Sequence, residues 1–476
     1  MRQTILLALI FMFSAVQSYA QYLVSIELLD TYTAEELDLV PGQQAEYDVE
    51  FYKVVYNTVD ANGNATIASG AFSKPVSDEC TLFPISIYNH GTVLNKENVP
   101  SRDNAEAFIG KFIASLGYYS LAPDYIGMGD SPGLHPYVHA QSEATAGVDL
   151  IRAMREHLVT IDEADNGELL ITGYSQGGHA AMALHKYIED NALLDEFNVL
   201  GSAPGSGPYN LSGSQTATIL SGEPYSNPGY IVYALSSYEL AYGNIYGTYS
   251  DVLQDPYDGI VVPYFDGNNT TYSMANLNPQ LPQVITDLLT PAYYSDFESN
   301  MDHPFRLALA DNDNYDWTPQ RGVRMYYCTQ DEQVDYTNST DALAAMQTNG
   351  APDVAAIELG PLDHGDCFLP AMLGAINYFN SIRTECVSTT GIDAYEMEFS
   401  VYPNPAVDLL TIQSTAAIAG WSIVDARGQV VLTHSDKKYG NRDFSTIKLR
   451  ALKSGIYTLR LVDNEGNQGE KVFIKN

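Results

Sequence analysis

Along the chain the spacing of apolar residues changes character three times, and each change predicts a different kind of element. Between residues 45 and 75, Tyr- and Val-rich runs flank DANGN, where Asn62-Gly63 is a strong hairpin signal, so the fold opens antiparallel. Beyond it, short β-rich runs alternate with stretches at helical spacing. LFPISIYNHG (82–91) predicts a strand, NAEAFIGKFIASLG (104–117) a helix and YYSLAPD (118–124) a strand. In QSEATAGVDLIRAMREHL (141–158), Ala144, Val148, Ile151, Met154 and Leu158 recur on one helical face. ELLITGYS then predicts a strand and GGHAAMALHKYI a helix. FNVLGSAP (197–204), VRMYYC (323–328) and VAAIEL (354–359) are further strands, with helices at DALAAMQTNG and FLPAMLGAINYF. Strands alternating with helices imply an α/β domain, its sheet mainly parallel and covered on both faces.

The alternation pauses between about residues 206 and 310. Thirteen tyrosines lie between Tyr209 and Tyr294, with many Gly, Pro and Asn and few charges. An insertion between two sheet strands is expected to sit over the carboxyl edge as a cap or lid; the plainer expectation is a packed subdomain without substrate contact. From about Phe399 the pattern becomes seven short alternating runs, with turn signals at Ala426-Arg427-Gly428 and Asp463-Asn464-Glu465-Gly466. Those runs predict a small all-β sandwich over 400–476, joined by a linker at 386–399.

Charge sharpens this division. The formal net charge is −36, yet residues 401–476 carry +3, leaving about −39 upstream. The acidic bulk argues against nucleic acid or an anionic membrane surface as partner. The first twenty residues have a basic start at Arg2, an apolar stretch from Ile5 to about Val16 and a small-residue finish, the pattern of a secretory signal. No later segment is apolar enough for a transmembrane anchor, so the expected mature chain is exported, with a catalytic region over 21–385. Four cysteines permit disulfides in three pairings; a Cys367–Cys386 bridge is one expectation, and Cys328 reads equally as a buried thiol.

The candidate chemistry centres on GYSQGGH, residues 173–179. G-x-S-x-G is common by chance, but here a strand runs in and a helix runs out, which places Ser175 on a sharp turn at the top of the sheet. A serine hydroxyl needs a histidine to take its proton and a carboxylate to orient that histidine. TQDEQV follows the VRMYYC strand and offers Asp331, ahead of Glu332 and Asp335; GPLDHGD follows VAAIEL and offers His364 in a loop, beside Asp363 and Asp366. Of nine histidines, only His364 comes after the last predicted strand of the α/β region and before the tail. The backbone amides of Gln176, at the helix start, and of Thr92, in NHGT after an early strand, are candidate donors to an oxyanion. HPYVH (135–139) and DNDNYDW (311–317) are weaker signals, and no metal is assigned to either.

YNHGTVLNKENVPS, APDYIGMGDSPGLHPYVHAQSEATAGVDLIRAMRE and ITGYSQGGHAAMALH, in that order, resemble the signature stretches of the α/β-hydrolase secretory lipases. The resemblance covers roughly residues 45–382. It implies Ser175, Asp331 and His364 as a triad, an ester bond in a small-molecule or lipid substrate as target, no cofactor, and the insertion as a lid or acyl-binding cap. A serine peptidase of the same fold and an inactive surface-binding protein are the alternatives. VYPNPAVDLLTIQS, SGIYTLRLVDNEG and EKVFIKN are similar to the C-terminal sorting domain of type IX secretion cargo. That similarity implies the type IX machinery as partner, a Bacteroidetes-type source, and release or surface attachment after passage through the periplasm and outer membrane.

Overall fold

A computed structural model describes residues 21–38, 40, 43–386, 399–414, 418–425, 430–435, 444–463 and 468–476. The secretory signal, most of the linker and the turns at 426–428 and 464–466 lie outside the described residues. The chain divides into two units, one ending at Cys386 and the other beginning at Val387.

The first unit is built on a nine-stranded sheet in the order β1-β2-β3-β5-β4-β6-β7-β8-β9. Its strands are β1 (Leu23–Tyr32), β2 (Asp48–Val59), β3 (Ala65–Val76), β4 (Ile85–Asn89), β5 (Tyr119–Pro123), β6 (Glu168–Tyr174), β7 (Asn198–Gly205), β8 (Gly322–Tyr327) and β9 (Val354–Glu358). β1, β2, β3 and β5 pair antiparallel, and from β5 to β9 all pairing is parallel. β1 is a strand that the hydrophobic pattern did not predict.

The helices that cover the sheet include α1 (Ala107–Ser115), α2 (Ala140–Thr160), α3 (Gln176–Asp190) and, at the end of the unit, a helix over His364–Ile382. β6 explains why both faces must be covered. Leu169 and Ile171 pack with Val148, Ile151 and Leu184 of α2 and α3, whereas Leu170 and Tyr174 pack with Phe112, Met372 and Ile376 on the opposite face. Side chains alternate across a strand, so a strand with apolar residues on both faces is stable only between two layers. Each such buried side chain contributes about 1.5–3 kcal/mol. The chain leaves β4 towards β5 on one side and then towards β6 on the other, a reversal that opens a crevice at the carboxyl ends of these strands.

Between β7 and β8 the insertion folds into short helices around a core of its own, with α4 (Gly229–Tyr242) and α5 (Pro304–Asp311) among them. Several of its tyrosines are structural. Tyr225, Tyr233 and Tyr238 are fully or nearly fully buried, and their hydroxyls donate to the carbonyls of Gln333, Val93 and Val138. These bonds anchor the insertion to the sheet's loops. α6 (Thr337–Thr348) follows β8, and α7 is the His364–Ile382 helix.

The second unit contains β10 (Phe399–Tyr402), β11 (Leu409–Ser414), β12 (Ile418–Asp425), β13 (Val430–Ser435), β14 (Phe444–Lys448), β15 (Gly455–Asp463) and β16 (Gln468–Lys475). They form antiparallel sheets of three (β10-β11-β14) and four (β13-β12-β15-β16) strands around Leu410, Ile412, Ile423, Leu459, Leu461 and Phe473. Among the described residues no helix is long and apolar enough to cross a membrane.

Cysteine pairing departs from the sequence expectation. Cys328 bonds Cys367, and Cys386 bonds Cys80, so a Cys367–Cys386 bridge does not form. The reason is spatial: the end of β8 abuts the first turn of α7, bringing the Cα atoms of Cys328 and Cys367 to 6.0 Å, within the range a disulfide spans.

Candidate active site

Ser175 stands between β6 and α3 with φ 60° and ψ −122°, a backbone conformation that non-glycine residues rarely hold. Its glycine neighbours make the turn possible. A Cβ on Gly177 would overlap the carbonyl oxygen of Asn89, one on Gly173 would strike that of Gly177, and one on Gly178 that of Gly205. The turn is further fixed by the Ser175 N–H, which donates to Gly205 O at 2.9 Å. In α3's first turn the Gly178 N–H already donates to Ser175 O at 2.9 Å, whereas the Gln176 amide, at the positive end of the helix dipole, precedes the first intrahelical bond, and Gln176 lines the channel at Ser175.

Asp331 lies four residues beyond β8 and accepts the backbone N–H groups of Gln333 (3.0 Å) and Val334 (2.9 Å) on Oδ1. Its Oδ2 meets His364 Nδ1 at 2.7 Å, with the carboxylate almost wholly buried. His364 differs from the expectation of a loop residue: it is the first residue of α7, and Asp363 caps the helix by accepting Asp366 N–H at 2.8 Å. The rival acid Glu332 serves the backbone instead, accepting His364 N–H at 3.1 Å. Tyr174 donates its hydroxyl to His364 O at 2.6 Å, and its ring lies 5.0 Å from the imidazole. With Nδ1 engaged by Asp331, Nε2 is the nitrogen left for proton transfer.

Two cavities meet at Ser175. A cleft of about 460 Å³ is walled by Thr92, Glu106, Phe108, Tyr174, His364 and Phe368. On the other side a narrow channel of about 60 Å³ runs beneath the insertion between Leu211, Ile219, Tyr225, Ile231 and Phe305. Gly91 and Thr92 follow β4 on the cleft side, where a Cβ on Gly91 would come within 3.9 Å of Ser175 Cβ. Thr92 Oγ1 is 3.0 Å from the Tyr137 hydroxyl. Of the five residues singled out in sequence, Thr92, Ser175 and His364 line the cleft, Ser175 and Gln176 line the channel, and Asp331 reaches the cleft only through its bond to His364.

Sequence reasoning missed a polar layer beneath Ser175. Gln176 Nε2 reaches His135 Nε2 (2.7 Å) and Glu143 Oε1 (2.9 Å), and Glu143 Oε2 meets His179 Nδ1 at 2.7 Å. Burial opposes charge on His179, but the Glu143 carboxylate and the Asn312 carbonyl (2.9 Å from Nε2) outweigh it and hold its pKa above the ordinary histidine value. Burial pushes His135 down to about 3 and His139 to about 4, so both HPYVH rings are neutral at physiological pH. Deeper still, Asp124 accepts Ser69 Oγ (2.6 Å), Ser101 Oγ (2.5 Å) and Ser101 N–H (2.9 Å), and burial raises its pKa. That carboxylate ties β3 to the loop after β4. No group of three or more His, Cys, Asp or Glu able to hold a metal occurs among the described residues.

Comparison with known proteins agrees with this arrangement at the level of fold and family. The rice cell wall degrading esterase LipA from Xanthomonas oryzae is 30% identical, with a TM-score of 0.69 over 76% of this chain and 99% of that one. A Legionella pneumophila protein whose structure carries a provisional hydrolase assignment superposes with a TM-score of 0.70 at 24% identity, covering 77% of this chain and all of its own. Lipase A of Candida antarctica in its closed state shares the fold at 15% identity, with a TM-score of 0.56 over 79% of this chain and 86% of its own. No curated protein matches the sequence. Residues 400–475 match the model of the secretion system C-terminal sorting domain, which directs export to the cell surface or the medium. The chain therefore belongs to the α/β-hydrolase family of secretory esterases and lipases that includes LipA, and it ends in a type IX secretion sorting domain.

Proposed function

We propose that the protein hydrolyses carboxylic esters through an acyl-enzyme on Ser175. His364 Nε2 takes the hydroxyl proton as Oγ attacks the acyl carbonyl, and the resulting imidazolium is balanced by Asp331. The oxyanion is received by the backbone amides of Thr92 and Gln176, each such donor being worth roughly 2.7–4 kcal/mol in the transition state. Collapse expels the alcohol, which leaves with the proton from His364; a water, deprotonated by the same nitrogen, then releases the acid. This chemistry calls on no cofactor.

The observation that carries the reading is the 2.7 Å contact between Asp331 Oδ2 and His364 Nδ1 in a cleft that His364 shares with Ser175. The unequal cavities support an orientation, with the alcohol in the 460 Å³ cleft and the acyl chain in the channel. The channel is much the smaller of the two spaces, which favours short acyl groups. Residues 1–20 are proposed to act as the export signal, and the sorting domain to engage the type IX machinery of a Bacteroidetes-type source. Hydrolysis of p-nitrophenyl esters of rising chain length by wild type and Ser175→Ala tests the reading: activity on short esters that disappears in the variant is expected, and equal activity in the two proteins would overturn it.

A further inference from the structure

His135 belongs to the wall of neither the cleft nor the channel, yet it is buried and its Nε2 stands 2.7 Å from Gln176 Nε2. Its tautomer follows from its partners. Nδ1 lies 2.8 Å from the carbonyl oxygen of Ile126, which only accepts, so Nδ1 carries the hydrogen and Nε2 the lone pair. The low pKa that burial gives the ring keeps that lone pair free at neutral pH. Gln176 therefore donates one amide hydrogen to His135 and the other to Glu143 Oε1. The first residue of α3 is pinned by its side chain from two directions.

The same imidazole continues on its other face. It stacks on Tyr125 with centroids 5.5 Å apart and planes 16° from parallel, and Tyr125 in turn lies 4.4 Å from the ring of His90. The Tyr125 hydroxyl donates to His90 O at 3.0 Å. Tyr125 is fully buried with φ 74°, a strained conformation that persists only where the surroundings impose it. His90 precedes Thr92 by two residues. A single column, His90–Tyr125–His135–Gln176, thus joins the loop after β4 to the start of α3.

We propose that His135 is a positioning residue for ester hydrolysis: through its bond to Gln176 and its stack on Tyr125 it sets the separation of the Thr92 and Gln176 amides. This rests on the reading of Ser175 as nucleophile and of those two amides as oxyanion donors. Such donors act only within about 2.7–3.1 Å of the oxyanion. A column that fixes both ends holds the gap at that width while the carbonyl carbon becomes tetrahedral.

Two substitutions separate the link from mere bulk. In His135→Gln the amide oxygen reaches the place of Nε2 and still accepts from Gln176; in His135→Asn the shorter side chain reaches Ile126 O but not Gln176. Kinetics on p-nitrophenyl butyrate are measured with active enzyme counted by fluorophosphonate titration, together with inhibition by butylboronic acid, whose boron adds a serine oxygen to become tetrahedral. His135→Asn is expected to lower kcat about 10- to 100-fold at nearly constant KM and to weaken the boronic acid by a similar factor, whereas His135→Gln recovers most of both. Wild-type kcat in His135→Asn, or equal losses in both variants, overturns the proposal. If His135→Asn does not fold, Tyr125→Phe carries the test, since it keeps the ring and removes only the bond to His90 O; a kcat at least about threefold lower at constant KM is expected, and an unchanged kcat overturns the proposal. Ser175→Ala separates the two levels of the account. Activity surviving there defeats the nucleophile reading itself; an inactive Ser175→Ala beside a fully active His135→Asn defeats only the positioning role.

Discussion

Cys328 and Cys367, bonded to each other, stand three residues before Asp331 and three residues after His364. The acid on the loop after β8 and the base at the start of α7 are therefore stapled together from below, at two residues with no solvent exposure. Closing a loop with a sequence separation of 39 residues stabilises a fold by about 2–4 kcal/mol. The double variant Cys328→Ala/Cys367→Ala is expected to unfold at lower denaturant concentration by that margin and to lose kcat more than KM. Equilibrium unfolding alongside steady-state kinetics checks this, and a variant with unchanged kcat would show that the staple serves stability alone.

Asp331 and Glu332 are adjacent and both bond His364, one at the ring and the other at the backbone. Asp331→Asn is expected to lower kcat about 10⁴-fold with little change in KM, because an amide no longer enforces the tautomer that presents Nε2 as base. Glu332→Gln keeps an acceptor for the His364 N–H and is expected to stay within about fivefold of wild type, the cost of one ordinary hydrogen bond. A reversed order of these two losses would reassign the acid.

Stability should fall on the acid side because of HPYVH. Burial lowers the pKa of His135 to about 3 and of His139 to about 4, whereas an unfolded histidine titrates near 6.5. Between those values the unfolded chain binds protons that the folded one does not, so stability present above about pH 6.5 is lost as pH falls, at up to about 1.4 kcal/mol per pH unit for each ring. His179 has the opposite sign: its pKa is raised, so the contribution of its pair with Glu143 is present below about pH 6.5 and fades as pH rises through the folded value. Melting temperatures from pH 4 to 9 should show His139→Asn, which keeps a capping acceptor at the start of α2, less sensitive to acid than wild type. His179→Gln should differ most from wild type below about pH 6.5 and converge towards alkaline pH.

Ile219 walls the channel while only half buried, so it can be trimmed at modest cost. Ile219→Ala is expected to move the preferred p-nitrophenyl ester towards longer chains, with a gain of about 1–3 kcal/mol in discrimination for each added methylene accommodated. A chain-length profile identical to wild type would place the acyl group elsewhere.

Much of the fold was legible because strands such as β6 are short, mostly apolar runs with no helical period, bounded by Gly, Asn or Pro, which separates them cleanly from the helical spacing of residues 141–158. β1 escaped because most of its residues are exposed at the sheet's edge, so no burial pattern marks it. The start of α7 was hidden by GPLDHGD, whose Gly, Pro and Asp residues carry the signals of a loop even though Asp363 is a helix cap. Ser175, Asp331 and His364 could be picked out by their order after successive strands. The His135–Gln176 bond joins residues 41 apart, and the Cys328–Cys367 bridge depends on two elements abutting in space; neither leaves a local pattern in sequence. Among the tyrosines of the insertion, composition could not separate those in its core, such as Tyr238, from a partly buried one on the channel, such as Tyr230.

Covalent labelling measures the central claim most directly. A fluorophosphonate should modify the protein once, on the peptide containing Ser175, with ester hydrolysis lost in proportion to labelling, and His364→Ala should slow both reactions by several orders of magnitude, about 10⁶-fold where a triad acts as a unit. Labelling at another residue, or full ester hydrolysis by protein completely labelled at Ser175, would contradict the account.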